Sequence, residues 1–385
     1  MATTKYDRDS SGFAGQWFTT FGLMSLESRG ADVAGTYRIG AVEGRIAGVT
    51  TGATLKFSYQ EPDEHGEGLF RLVRPGKFIG SYKVSGESRA RCWEGERGWD
   101  GIWSSDFGRV RLIHEPDRIH GYYEGPGPSV IDGRLQKGRL EFLYREPDAS
   151  GVGHFELQDS ARAFAGEWRA EGHTEWLPWN GRRLQAEPGL TWLVVLEAHW
   201  QRSLAESEYA FGDMLREVFA RLPNVRVRQR FFHDAASLEH WCRELVYLPE
   251  PAILVIASHG VAEGLSVHGE VINTTRILEN LRYAENLRLL HFSSCLVGQD
   301  EERAFKQRPY PVSGYKTRVD WGVSAVLEFT YLDLLLNRGL DPAEAAAKLP
   351  TLVTYAGDGV PSDSPYPAAG FCFFPALETW GQARL

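Results

Sequence analysis

Residues 253–260 read Ile-Leu-Val-Ile-Ala-Ser-His-Gly, and residues 289–295 read Leu-Leu-His-Phe-Ser-Ser-Cys. Each stretch is an apolar run of strand length that ends in polar residues. From Trp192 onward, such runs alternate with patterns of helical spacing, which predicts a mostly parallel sheet with right-handed crossovers. Ligands bind beyond the carboxyl ends of parallel strands, so the ends of these two strands are the first places to look for function.

A histidine and a cysteine follow these two runs, at positions 259 and 295. If the two strands are neighbours, about 4.8 Å apart, both side chains project from one edge of the sheet and reach one substrate carbonyl. A thiolate is a nucleophile, and histidine can help to form it, protonate the leaving amine and activate water. Gly260 lets the backbone turn sharply, so that its N–H and the N–H of Cys295 can face a developing oxyanion. The pattern predicts a dyad of His259 and Cys295.

Other interpretations of these residues stay open. Taken singly, a cysteine beside an apolar strand is often a small core residue, and a histidine is often a hydrogen-bonded structural residue. A zinc site at the strand ends is a further alternative, although we expect no metal and no cofactor. Its candidate ligands are His199, His233, His259 and Cys295. The other cysteines lack a comparable histidine and are interpreted as structural: Cys92, Cys242 and Cys372.

The N-terminal half of the chain repeats itself. The motif Gly15–Trp17 recurs 86 positions later as Gly101–Trp103, and Trp93–Arg97 recurs as Trp179–Arg183. Between turn signals, apolar and polar residues alternate over five to eight positions, which indicates antiparallel strands, about seven in each repeat. So many matches in register indicate an internal duplication.

These patterns predict a multidomain protein. Residues 1–189 form an all-β domain of two repeats, at about 12–98 and 99–185, and residues 190–385 form an α/β domain. The two repeats form either one closed or pseudo-twofold barrel or two packed sheets, and closure would remove exposed strand edges. Aromatic residues at alternating positions are interpreted as core filling, with a ligand pocket as the alternative. They are Trp17, Tyr82, Trp103 and Trp168.

Composition excludes several classes of function. The 385 residues carry a formal net charge of −9, and no block of Lys and Arg marks a phosphate-binding surface, so we do not expect nucleic acid as a partner. No apolar segment approaches about 18 residues, and the start at Met1 lacks an apolar signal region, which predicts a cytoplasmic protein without a membrane partner. The four cysteines have no paired spacing, which fits a reducing compartment.

The C-terminal half, from about Thr191 to Pro375, resembles the caspase-like cysteine peptidases, and its spacing is especially close to the bacterial CHAT branch, which resembles separase. The resemblance is carried by Ser258–Gly260 after a strand, by the hairpin Gly264–Gly269 and by Leu289–Cys295. Two further segments resemble the family's fifth strand and the acidic turn after it: Val312–Tyr315 and Val319–Asp320. The resemblance implies a caspase-like fold, endopeptidase activity, a dyad of His259 and Cys295, and Gly260 in the oxyanion hole.

The same resemblance suggests which residues bind the substrate. Asp320 corresponds to an acid that lines the S1 pocket in separase-like relatives, which implies Arg or Lys at P1; a helix N-cap is the alternative role. Arg202 is the rival, because it resembles the position at which caspases hold an acidic P1 residue. Ser293 stands where caspases carry Gln, two positions before the cysteine, and this departure argues against a caspase-style preference for aspartate.

The sequence therefore predicts a cysteine endopeptidase that hydrolyses peptide bonds in protein substrates. The duplicated β domain has no recognised chemistry, and we interpret it as a regulatory or recognition module, with an activating or inhibitory protein as a further partner. The alternative is a catalytically inactive, peptidase-derived scaffold whose β domain binds glycan or protein. Reactivity of the Cys295 thiol distinguishes the two, because a scaffold need not keep a reactive cysteine.

Overall fold

A computed structural model describes residues 12–87, 90–201, 205–206, 210–299, 305–353 and 370–377. These residues form two compact units that divide between Gly189 and Leu190. The N-terminal unit is built from antiparallel strands, and the C-terminal unit is α/β with a mostly parallel sheet. None of the helices in these ranges combines the length and the apolar character that a membrane crossing needs.

The first repeat folds into a closed barrel. Its strands are β1 (Gly15–Thr19), β2 (Gly22–Arg29), β3 (Asp32–Ile39), β4 (Val42–Thr51), β5 (Thr54–Gln60), β6 (His65–Arg74), β7 (Lys77–Val84), β8 (Ala90–Cys92) and β9 (Gly95–Glu96). Strands β1 to β6 form a meander, β6 pairs with β7, and β9 joins β7 to β1. Eight strands thus close the barrel, and the short β8 pairs with β7 beside it.

The second repeat folds in the same way. Its strands are β10 (Gly101–Ser105), β11 (Gly108–Glu115), β12 (Arg118–Glu124), β13 (Pro128–Gln136), β14 (Arg139–Arg145), β15 (Ser150–Gln158), β16 (Ala163–Ala170), β17 (Leu177–Pro178) and β18 (Gly181–Leu184). Strand β18 joins β16 to β10, and β17 pairs with β16. The predicted duplication is confirmed, and of the two predicted arrangements the closed barrel is the one observed, although each repeat forms its own barrel and the two do not share one. Eight strands enclose an interior that side chains can fill, so each repeat closes by itself.

Aromatic side chains fill both barrels. Trp17 and Trp103 are fully buried, and Tyr82 is nearly so. In the first barrel, Trp93 lies at the centre of the aromatic cluster, with ring centroids 4.8 Å from Tyr37 and 5.2 Å from Phe70, both in edge-to-face geometry. Such pairs stabilise a core beyond the area that they bury. Core filling is therefore the role of these three predicted aromatics, and Trp168 packs partly buried against the second core.

One arginine in each repeat stacks on a core tryptophan and donates a hydrogen bond to a backbone carbonyl. Arg97 stacks on Trp17 at 4.3 Å and donates a hydrogen bond to the Ala14 carbonyl. Arg183, 86 positions later, stacks on Trp103 at 4.2 Å and donates to the Asp100 carbonyl. A guanidinium suits this position because it offers several donors in one plane and stacks on an aromatic face. The two repeats therefore share not only their strands but also this arginine–tryptophan contact.

Glu96 makes the barrels sensitive to acid. Burial by itself raises the pKa of this carboxyl, but the charges of Arg111, 2.7 Å away, and Lys77, 3.5 Å away, outweigh burial and lower the pKa to about 2. A lowered pKa means that ionised Glu96 stabilises the fold above its ordinary pKa of 4.5, and that this contribution is lost as the pH falls from 4.5 towards about 2.

We therefore expect Glu96→Gln to lower the free energy of unfolding at pH 6, with a difference from the wild type that shrinks between pH 5 and pH 2.5. Urea unfolding followed by tryptophan fluorescence across this range measures it. Glu43→Gln is the control, because Glu43 forms only an exposed pair with Arg38. A wild-type minus Glu96→Gln difference that does not change with pH would contradict the expectation.

The C-terminal unit alternates strands and helices. In chain order they are β19 (Thr191–Ala198), α1 (Phe211–Phe219), β20 (Val225–Phe232), α2 (Ala235–Glu244), β21 (Ala252–Ala257), β22 (His259–Val261), β23 (Gly264–Val267), β24 (Glu270–Asn273), α3 (Thr274–Asn280), β25 (Leu287–Ser293), β26 (Val312–Tyr315), α4 (Trp321–Leu336), α5 (Pro342–Leu352) and β27 (Phe371–Phe374). The main sheet has the order β20-β19-β21-β25-β26-β27 and is parallel except for β27. Strands β22 to β24 form a separate small antiparallel sheet.

Helices cover both faces of the main sheet. Leu254 and Val255 are consecutive residues of β21, and they belong to different hydrophobic clusters because successive strand residues point to opposite faces. Helices α2 and α3 pack on the Leu254 face, and α1, α4 and α5 pack on the Val255 face. Both faces of the central strands are therefore buried, which explains why their sequences are continuously apolar.

Candidate functional site

The two strands that precede the predicted dyad are neighbours. Strands β21 and β25 pair in parallel, and Ala257 is the partner of Ser293 at their ends. Beyond this pair, Ser258 N–H donates to the Ser294 hydroxyl at 3.3 Å, and the two hydroxyls are 3.4 Å apart. Both serines are buried. The strand ends are therefore joined up to the residues directly before His259 and Cys295.

Gly260 lies against the backbone of Cys295. A Cβ atom at position 260 would overlap the Cys295 carbonyl oxygen and would lie 3.0 Å from both the carbonyl carbon and the amide nitrogen of that residue. The φ of Gly260 is not in the left-handed region. A left-handed conformation is therefore not what requires glycine here; the position needs glycine because the Cys295 backbone approaches it.

Cys295 opens a tight turn. The Val297 N–H donates to the Cys295 carbonyl at 2.8 Å, and the residue between them, Leu296, has a φ of 63°. A γ-turn with a left-handed central residue is strained, and leucine adopts this conformation only where its surroundings enforce it. The Leu296 N–H is held by the Thr317 carbonyl at 3.2 Å. The strain is thus located directly after the candidate nucleophile.

The sulfur of Cys295 contacts backbone rather than core. It lies 3.4 Å from the Val319 N–H and 3.8 Å from the Val319 carbonyl oxygen, and the residue is partly exposed. The thiol is therefore placed beside main-chain hydrogen-bonding groups at an accessible position. Cys242 differs, because burial raises the pKa of its thiol to about 12. Its thiol is therefore the unreactive form at neutral pH.

The amide of Cys295 is the donor that the sequence assigned to an oxyanion. In the described part of the chain, no group accepts a hydrogen bond from this N–H. An N–H without an internal acceptor at the start of a strained turn is free to bind a substrate oxygen. The role of Gly260 and Cys295 in an oxyanion hole stays a prediction.

His259 is exposed and packs against an indole. It starts β22, and the Trp200 ring meets it edge-on at 5.2 Å. Trp200 in turn donates from Nε1 to the carboxylate of Glu197, at the end of β19. Glu197 is fully buried and also accepts hydrogen bonds from the backbone N–H groups of Phe211 and Gly212, at 2.6 and 2.9 Å. The carboxylate therefore holds both the start of α1 and the ring beside His259.

Asp320 caps a helix. Its Oδ1 accepts hydrogen bonds from the N–H groups of Gly322 and Val323, at 2.9 and 3.2 Å, at the start of α4, and its side chain is exposed. The alternative role that we considered for it is thus the one seen in the structure. The residue nevertheless follows Val319, whose backbone contacts the sulfur of Cys295. Its place in a substrate pocket stays a prediction.

Ser293 contacts a buried acid that the sequence did not reveal. Its hydroxyl donates to Glu328 Oε1 at 2.9 Å, and the hydroxyl of Tyr315 donates to the same oxygen at 2.8 Å. The imidazole of His291 lies 3.4 Å from it, and both His291 and Glu328 are fully buried. Glu328 lies within α4, whose sequence is otherwise mostly apolar. Glu328 links α4 to the two strands, β25 and β26, that flank the candidate site.

The remaining candidates are spread out. Arg202 lies outside the described residues. Of the alternative zinc ligands, His199 and His233 stack on each other at 4.7 Å, which is a packing contact. Within the ranges that the structure covers, no group of three or more His, Cys, Asp or Glu side chains is arranged to hold a metal ion.

No family model matches the chain, and no curated protein matches it. One similar solved structure is that of the vaccine antigen transferrin binding protein B from Haemophilus parasuis, in a double-mutant form, with 9% sequence identity and a TM-score of 0.16. The match covers 42% of this chain and 52% of that chain. A likeness at this TM-score carries no argument about this protein.

Proposed function

We propose that this protein is a cysteine endopeptidase with His259 and Cys295 as its catalytic residues. The observation that carries the proposal is the junction of the two strand ends, where Gly260 packs on the Cys295 backbone and leaves no room for a side chain. This contact keeps the residue after His259 beside the residue that bears the thiol. The caspase-like resemblance of the C-terminal half belongs to the same proposal, and the parallel pairing of β21 and β25 supports it.

The chemistry follows from these groups. His259 accepts the Cys295 thiol proton, and the thiolate attacks the carbonyl carbon of the peptide bond. The C–N bond then breaks as the imidazolium gives its proton to the leaving amine. Water, deprotonated by His259, attacks the thioester, and the C–S bond breaks as the thiol regains its proton. The N–H of Val319 stabilises the sulfur anion, and that of Cys295 binds the oxyanion.

The Asp320 carboxylate selects Arg or Lys at P1, and one of its oxygens remains for the substrate while the other caps α4. An exposed carboxylate discriminates less than a buried one, because water competes for the cation. The duplicated barrels act as a regulatory or recognition module toward the peptidase.

Terminomics of a cell lysate tests the activity. We expect the wild-type chain to create new protein termini that disappear with Cys295→Ala and with His259→Ala, a loss of at least about 100-fold, because both groups act in every turnover. The residue before each new terminus reports P1, and Asp320→Ala is expected to weaken a preference for Arg or Lys. New termini that persist in both dyad variants would contradict the proposal.

A non-catalytic scaffold is the second candidate, and thiol labelling separates it from a peptidase that needs activation. We expect iodoacetamide at neutral pH to modify Cys295 in the folded chain faster than the exposed Cys92, which lacks the Val319 contact. Buried Cys242 serves as the unreactive reference. Labelling of Cys295 no faster than that of Cys92, together with an absence of new termini, would favour the scaffold.

A further inference from the structure

The duplication supplies an internal comparison between two equivalent surfaces. On the outside of each barrel, residues of three adjacent strands and one further residue form a row, the further residue being Ala90 in β8 of the first barrel and Trp176, directly before β17, in the second. The Ser58 row of the first barrel consists of Ser58, Glu67, Lys83 and Ala90, paired in this order. The Leu143 row of the second barrel consists of Leu143, Val152, Arg169 and Trp176, at equivalent positions 85 or 86 residues later. The two rows occupy equivalent backbone positions in the two repeats, so they can be compared side chain by side chain.

The Leu143 row is apolar where its counterpart is polar. Leu143 is 60% exposed and Trp176 is 40% exposed, and they replace a serine and an alanine. Packing within the barrel does not require these apolar groups, because the equivalent barrel closes without them. Large apolar residues grouped on an outer surface mark interaction sites.

The row also holds a cation that faces no acid. In the first barrel, Lys83 lies opposite Glu67 on the neighbouring strand, but in the second barrel Arg169 lies opposite Val152. The Arg169 guanidinium stacks 4.9 Å above the Trp176 ring. Among the described residues, no carboxylate forms an ion pair with Arg169. The N–H groups of a guanidinium lie in its own plane, so a guanidinium placed over a ring can still direct them at a carboxylate from outside.

We propose that the Leu143 row binds an extended segment of a partner protein that presents large apolar side chains and one carboxylate on the same face. At a spacing of about 4.8 Å between neighbours the row spans about 14 Å, the length of about four extended residues. The carboxylate pairs with Arg169, and the apolar side chains cover Leu143, Val152 and Trp176. The site is independent of the peptidase chemistry, and its test needs no activity.

Fluorescence polarisation with the full-length chain tests the proposal. The first probe is a labelled nonapeptide, Ser-Leu-Ser-Leu-Ser-Glu-Ser-Leu-Ser, and the second carries Lys in place of Glu. We expect saturable binding of the Glu probe, and about tenfold or greater weakening with Trp176→Ala, because aromatic residues supply much of the affinity of such surfaces. With Arg169→Glu, the preference is expected to reverse toward the Lys probe, which a purely structural role of Arg169 would not produce.

The equivalent row provides the matched control. Lys83→Glu changes the same charge on the same kind of strand, and we expect it to leave the affinity for both probes within about twofold. The proposal is overturned if the wild type shows no saturable binding of the Glu probe, or if Lys83→Glu weakens binding as much as Arg169→Glu does. It is also overturned if Leu143→Ser combined with Trp176→Ala only dissociates a homo-oligomer in sedimentation, since a second copy then covers the row.

Discussion

Asp100→Ala is expected to lower the free energy of unfolding of the duplicated unit by about 3–5 kcal/mol, the cost of removing one partner of a buried ion pair. Asp100 is fully buried and accepts hydrogen bonds from Arg74 at 2.6 and 3.0 Å. Arg74 belongs to the first barrel, and the backbone N–H of His114, in the second barrel, also donates to Asp100. Arg111, again in the second barrel, lies 3.8 Å away. The Asp100 carboxylate therefore accepts hydrogen bonds from both repeats and balances the charge of an arginine in each.

Urea unfolding of the full-length chain, followed by tryptophan fluorescence, measures this loss. The matched control is Asp132→Ala, which breaks an Arg118–Asp132 pair in which both side chains are about half exposed. Exposed pairs contribute about 1 kcal/mol or less, because water solvates each charge after the other is removed. A cost for Asp100→Ala no larger than that for Asp132→Ala would show that the buried carboxylate does not join the barrels.

Gly260→Ala is expected to destabilise the C-terminal unit by about 1–3 kcal/mol, as overpacking does, and to lower any Cys295-dependent cleavage by about 100-fold. The added methyl group would overlap the Cys295 carbonyl oxygen, which the γ-turn at Leu296 already fixes. Because a shift of either backbone costs free energy, we expect the added methyl group to increase the distance between the His259 imidazole and the Cys295 thiol. A displacement of about 1 Å between reacting groups is enough for a loss of this size.

Thermal unfolding and cleavage of a substrate found by terminomics report the two effects separately. Gly12→Ala is the control for replacement of a glycine as such, because a Cβ there would meet nothing within 4 Å and its φ is not left-handed. If Gly260→Ala unfolds at the wild-type temperature, the close approach of the two backbones is absent in solution. If it is destabilised but cleaves at the wild-type rate, Gly260 supports the fold without positioning the dyad.

Most of the elements were predictable because their signals are local. The apolar runs that became β19, β21 and β25 and the N-cap at Asp341 with Pro342 behind it each lie within a few residues of sequence. Helical spacing of apolar residues does not by itself fix where the helix after β19 begins, which in the structure is Phe211. Glu197 explains its start, because this buried carboxylate binds the first two N–H groups of α1. That contact spans 14 residues and leaves no periodic trace in the sequence.

The sequence by itself determined the duplication, the order of strands and helices, and the candidate pair His259 and Cys295, since repeats, periodicity and strand ends are all properties of short segments. The tertiary structure alone decided that each repeat closes its own barrel, that Gly260 meets the Cys295 backbone, and that Glu328 and Asp100 are buried beside their partners. The physical reason is that closure, close approach and burial depend on segments far apart in the chain. Their energies arise only when those segments pack together.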